Sequence, residues 1–218
     1  MRLERRLPQY AAGLVIMATG IVFIKRAGVG NSPLSAIPAA VASLTPLTLG
    51  NTTIAFHAFC VLLQILVQRR VTVKTLLTLP LAVAFGYLID LLMLLFKING
   101  LTLPMQLALC LAGIILTALG IVIIVGADLM LPAPDALLRA ASVQWGRPLA
   151  VIKTAGDILW VAAAAAIDLV FAGKVTSIGI GTLASMLLTG KFVGIFKKHL
   201  AFLEMEPTDA RKIRKSDS

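Results

Sequence analysis

GIVFIKRAGVGNSPLSAI at residues 20–37 and GIVIIVGADLMLPAPDAL at residues 120–137 decide the fold. The two stretches lie one hundred positions apart. With that offset and no gap, Ala12, Gly13, Ala18, Gly20, Ile21, Val22, Ile24, Ala27, Ala36 and Ala40 meet residues of their own type. That is more than two unrelated segments of this composition share by chance, and it marks a duplication. Both copies follow one physical plan: an apolar run, a break, then a proline that opens a short Ala-rich segment. In the first copy Ser32-Pro33 is a helix start, with Ser as the cap and Pro in the first turn. A duplicated apolar unit with a broken element inside it points toward transport.

Working outward, composition sets the class. The chain has 218 residues, of which 59% are hydrophobic and 14% charged. Its mean hydropathy of +0.95 leaves too few polar side chains to cover a water-soluble fold. Apolar runs recur that match a bilayer core of roughly 30 Å at about 1.5 Å per residue. This is an integral membrane protein, with the lipid bilayer as its first partner. The net charge of +10 gathers at the ends and in short loops, including Arg5, Arg6, Arg69, Arg70, Lys74, Lys197 and Lys198. There it orients the chain against an anionic leaflet and does not indicate nucleic acid. Cys60 and Cys110 lie inside apolar runs and read as packing residues, with no disulfide or metal-ligand spacing.

In order, the sequence predicts spans at 7–24, 50–67 and 76–96, then at 103–125, 149–171 and 178–196. Residues 34–44 and 135–143 are too short to span and read as re-entrant or interfacial helices. Each unit, 1–100 and 101–200, therefore holds three spans and one short broken element, followed by a polar tail at 201–218. Three is odd, so the second unit enters the membrane from the opposite side. The predicted fold is all-α: six transmembrane helices in two inverted three-helix repeats. Basic residues place both termini in the cytoplasm, which receives the N-terminal arginines, Arg69, Arg70, Lys74, Arg139, Arg147 and the tail. The outside receives Lys25, Arg26, Lys97 and Lys174.

Several motifs are more specific. AGVGNSPLSAIP at 27–38, LTLGN at 47–51, LLQILVQRR at 62–70, FGYLIDLLM at 85–93 and ADLMLPAPDALLRAAS at 127–142 together resemble the YczE/YyaS/YitT-like bacterial membrane proteins. The resemblance covers residues 10–198. It implies a small multi-span protein of the bacterial cytoplasmic (inner) membrane, and it implies no substrate.

Ionisable groups inside spans are costly and are therefore functional candidates. His57 and Asp157 occupy equivalent positions at the hundred-residue offset, so a two-fold relation would face them across the midplane. Such a pair binds a polar or cationic group or relays a proton. Lys153 lies one helical turn before Asp157 and neutralises it. Asp90 and Lys191, deep in the third spans, read as a buried pair between units, and Asp168 reads as solvated. The broken loops form a second kind of site. The backbone of 28–32 with Ser32, Ser35 and Arg26 is suited to an anion, whereas Asp135, which aligns with Ser35, makes the inner loop unsuited to one.

No nucleophile–base set, metal cluster or cofactor motif is visible, so the sequence predicts neither an enzyme nor a cofactor or metal site. The expected function is a secondary-transporter-like protein that moves or binds a small polar or charged solute or ion at the repeat interface. A homodimer is compatible with this reading. The alternatives are a non-transporting accessory or regulatory membrane protein, or a membrane substrate-binding subunit of a larger transport complex.

Overall fold

Helix starts repeat at the hundred-residue offset. In the computed structural model, which describes residues 3–200, the chain forms α1 (Leu3–Ala27), α2 (Pro33–Leu44), α3 (Leu49–Gln68) and α4 (Val73–Leu95). It continues as α5 (Leu103–Ala127), α6 (Ala133–Trp145), α7 (Leu149–Ala172) and α8 (Ile180–His199). The tail expected over 201–218 lies outside the described residues, which contain no strand. All but α2 and α6 are long and apolar enough to cross a membrane. The first three helices of each half start one hundred residues apart. The fourth does not, because α7 is longer than α3 and residues 173–179 make a longer connection than residues 69–72.

The centre of the molecule is the crossing of α1 with α5. Without a hydrophobic drive inside lipid, helices associate through close packing, and small residues permit it. Here Gly13, Gly20, Gly113 and Gly120 supply the room. A Cβ on Gly113 would stand 2.7 Å from the Gly20 carbonyl oxygen, and one on Gly120 would stand 2.6 Å from Met17 Cβ. One on Gly13 would meet Ile124 Cγ1 at 2.8 Å. Residue 13 thus meets 124, 17 meets 120 and 24 meets 113, so the helices run antiparallel.

Around this axis the halves interlock crosswise. The short helix α2 packs on α7, and the short helix α6 packs on α3. Ala36 and Ala40 of α2 bury against Ala164 of α7, with Ile37, Val161 and Ile167 beside them. On the other side Ala133 and Leu137 of α6 bury against Phe56, Cys60 and Val61 of α3. Within the first half, α3 lies tightly on α4 where Gly50 meets Gly86, since a side chain at either would strike the partner backbone. α4 also packs on α1, and α8 on α5.

The two ends of the bundle differ. Arg6 bonds the Asp128 carbonyl, so the start of α1 and the end of α5 share one end with the α3–α4 turn. This is the basic end. At the far end, Phe23 meets Phe96 edge-on at 5.1 Å and Arg26 donates to the Met93 carbonyl.

Candidate functional site

A cavity of about 1410 Å³ opens at the basic end. The first half contributes Arg6 from α1, Gln64 and Gln68 from α3, and Arg70, Lys74 and Thr78 from the turn and α4. The second half contributes Asp128 and its neighbours, then Ala136, Arg139, Ala140 and Gln144 from α6. The faces that α6 turns into it follow from helical spacing, because residues 136, 140 and 143 share one stripe. Asp128, the one acidic residue in the lining among the described residues, is held by Arg6, whose Nη1 lies 3.5 Å from its Oδ2.

Thr78 lines this cavity and also a void of about 10 Å³ whose walls include His57, Phe85, Pro132 and Ala133. That volume is near the minimum for one water molecule. The void places His57 just beyond the cavity floor. The imidazole is only 2% exposed and stacks on Phe85, centroids 5.8 Å apart and rings 12° from parallel. Phe56, next to it in the chain, meets Trp160 of α7 edge-on at 5.3 Å.

On the α7 side of α6 sits an ion triad. Lys153 Nζ donates to Asp135 Oδ1 at 2.8 Å and to Asp157 Oδ1 at 3.2 Å. The Asp157 contact follows from i,i+4 spacing on α7. Asp135 comes from the first turn of α6, where the helix dipole favours a carboxylate. Its side chain turns to Lys153. The side chains of Asp135 and Asp157 are 14% and 21% exposed, and that of Lys153 is 40% exposed. Two carboxylates against one ammonium leave one formal negative charge, a suitable place to hold a proton or cation.

The far end is tied shut by polar bonds between the halves. Asn31 N donates to Thr182 Oγ1 at 3.0 Å, and Asn31 Nδ2 donates to the Ser177 carbonyl at 2.6 Å. Gly181 N donates to the Val29 carbonyl at 2.8 Å. Gly30, at φ +132°, permits this approach, since a side chain there would strike Thr182 and the Gly179 amide.

A family model matches residues 4–198. The chain belongs to DUF6198, a family of unknown function. No curated protein and no solved structure matches it.

In this DUF6198 chain the structure joins some of the candidate residues and separates others. Asp135, Lys153 and Asp157 come together. His57 and Asp157 do not pair: no hydrogen bond or ion pair joins them among the described residues. Asp157 turns to Lys153 instead, together with Asp135 from the short helix α6 that packs crosswise on α3. Nor do Asp90 and Lys191 pair. Asp90 accepts from Thr48 Oγ1 at 2.6 Å and from Gly50 N at 2.7 Å, because the Gly50–Gly86 contact brings the start of α3 onto α4. It caps a helix, while Lys191 stands exposed on α8.

The far loop is likewise not an anion cradle. The Asn31 amide is taken by Thr182, Ser32 and Ser35 bond each other at 2.8 Å, and Arg26 is turned to a carbonyl. Ser32 is the N-cap residue of α2 but makes no side-chain cap bond. Asp168 is fully buried, not solvated. It accepts from Thr176 N at 2.7 Å and Ser177 N at 2.6 Å as the chain reverses after Gly173.

Sequence reasoning missed the cavity itself. It treated Arg6, Arg70, Lys74 and Arg139 as orientation signals only. The available signal was Gln64 and Gln68, one turn apart at the end of an apolar span and running into Arg69-Arg70.

Proposed function

We propose that this protein is a small secondary-transporter-like carrier built from two inverted three-span units, with its solute cavity open to the cytoplasm. The observation that carries this reading is the cavity: both halves line it with polar and charged groups, while the opposite end is closed by bonds between the halves. A one-sided cavity between interlocked units is the geometry of one state of an alternating-access carrier. The antiparallel crossing of α1 with α5, equivalent helices at the hundred-residue offset, supports the inversion. The basic residues around the cavity mouth support a cytoplasmic opening with both termini inside. The motif resemblance to the YczE/YyaS/YitT-like proteins supports a bacterial inner membrane.

In this mechanism the solute enters between α4 and α6 and descends past Thr78 toward His57. Parting of the α1–α2 loop from the α7–α8 loop and the start of α8, where the far-end bonds lie, would then open the other side. His57 and the Asp135–Lys153–Asp157 triad flank that route and hold the charge that a coupled proton or cation would exchange. Purified protein should gain thermal stability, saturably, with at least one small polar metabolite, as mass action requires of a ligand that binds the folded state. Gln64→Leu should weaken that gain. A protein that responds to no metabolite but purifies in fixed stoichiometry with another membrane protein would instead be an accessory subunit.

A further inference from the structure

We infer that the cavity at the basic end binds a small organic anion, one that carries a phosphate or carboxylate together with hydroxyl or amino donors. This deepens the carrier reading and rests on it.

The charge of the lining comes first. Arg6, Arg70, Lys74 and Arg139 face one cavity, and among the described residues Asp128 is the one acidic residue in its walls. Asp128 is already engaged by Arg6. The other acidic residue of this region, Asp135, is turned away to Lys153 on the flank of α6. The inner loop was expected to be unsuited to an anion because of Asp135, but Asp135 is not among the walls of this cavity. Arg70, Lys74 and Arg139 are exposed at the mouth, and in the described residues none of them makes an ion pair. Three uncompensated cations over a low-dielectric cleft focus an attractive field for anions. Arginine forks also match phosphate and carboxylate in two-point geometry.

The hydrogen-bonding capacity comes second and points to donors on the ligand. Gln64 is only 7% exposed, and its Oε1 has no partner. Its Nε2 reaches Thr75 Oγ1 at 3.5 Å. One turn later Gln68 has an Oε1 that is also buried without a partner. Buried acceptors left unmade are costly, so a ligand that brings hydroxyl or amino groups to them gains affinity over a bare ion. Cations at the mouth and acceptors below it define one end-to-end complement: the anionic group outward, the donor-bearing body inward.

This chemistry has two sources. A free metabolite such as a sugar phosphate or hydroxy acid carries it, and so does the headgroup of an anionic glycerolipid in the same leaflet. Wild-type protein in neutral detergent is to be titrated with glycerol 3-phosphate, malate, short-chain phosphatidylglycerol, glycerol and choline, reading thermal stability and calorimetric binding. Saturable binding of either soluble anion, at least tenfold tighter than glycerol or choline, is expected. The triple variant Arg70→Gln, Lys74→Gln, Arg139→Gln should lose that binding at least tenfold. Gln64→Leu should weaken glycerol 3-phosphate more than it weakens inorganic phosphate. Because the three cations are exposed, the triple variant should fold, and its unliganded melting temperature verifies this.

Binding of the lipid alone would support the anion site while counting against solute carriage. Binding of glycerol or choline as tightly as the anions would overturn the anion site and leave the carrier reading standing. Binding of none of the probes, or equal binding by wild type and triple variant, would overturn the inference.

Discussion

Replacing Lys153 with methionine keeps the length of the side chain and removes the ammonium that Asp135 and Asp157 share. Both carboxylates then remain, 14% and 21% exposed, with no cation between them. Breaking a fully buried ion pair from one side costs about 3–5 kcal/mol, whereas exposed pairs contribute about 0.2–1 kcal/mol. The Lys153 side chain is 40% exposed, so the loss belongs between these limits, at about 2 kcal/mol. At about 2–4 °C per kcal/mol for a chain of this size, the melting temperature should fall by about 4–8 °C. Asp135→Asn should cost more than Asp157→Asn, since Asp135 makes the shorter bond to Nζ and is the less exposed of the two. The decisive comparison is the triple variant Lys153→Met, Asp135→Asn, Asp157→Asn, which removes the uncompensated charge and should recover most of the loss. Thermal unfolding in a neutral detergent measures the four variants against wild type. A Lys153→Met protein as stable as wild type, or a triple variant no better than Lys153→Met, would refute the triad as a charge-balanced unit.

Two further substitutions probe the frame that positions the site. Gly113→Val should cost about 3 kcal/mol or prevent folding, because its Cβ would stand 2.7 Å from the Gly20 carbonyl oxygen and 2.9 Å from the Ile24 amide, backbone atoms that cannot give way. Size-exclusion profiles and melting curves check this, and a wild-type melting temperature would contradict the α1–α5 crossing. Asp90→Ala should lower stability by about 1–2 kcal/mol through loss of the acceptor for Gly50 N and Thr48. It should leave ligand affinity in the cavity unchanged, and a large loss of affinity would return Asp90 to the functional site.

The spans were legible because apolar runs bounded by Gly, Pro and charged residues leave little choice inside a bilayer. The expected span 7–24 lies within α1, and the expected short helix 34–44 lies within α2. The Lys153–Asp157 contact was legible for the same reason: it is local to one helix. Longer-range pairings were not. The hundred-residue offset states which residues are equivalent, but not how far each lies from the axis that relates them. Hence His57 and Asp157 were expected to meet, whereas Asp157 bonds Lys153, which Asp135 on the intervening short helix also reaches. Asp168 was misjudged because its donors lie eight and nine residues on, past a turn at Gly173 that only tertiary structure folds back. The cavity was hidden because its walls come from α1, α3, α4, the end of α5 with the loop after it, and α6, and no window of sequence contains them together.

The central claim is that both halves of the chain line one cavity that opens to the cytoplasm, at the end opposite the α7–α8 turn. Single cysteines at Gln68, Gln144 and Lys174, in a background with Cys60 and Cys110 replaced by alanine, test it with a membrane-impermeant maleimide on oriented vesicles. Gln68→Cys in the first half and Gln144→Cys in the second should both react from the cytoplasmic face, and Lys174→Cys from the outer face alone. Reaction of Gln68→Cys and Gln144→Cys from opposite faces, or of Lys174→Cys from the same face as either, would contradict the account.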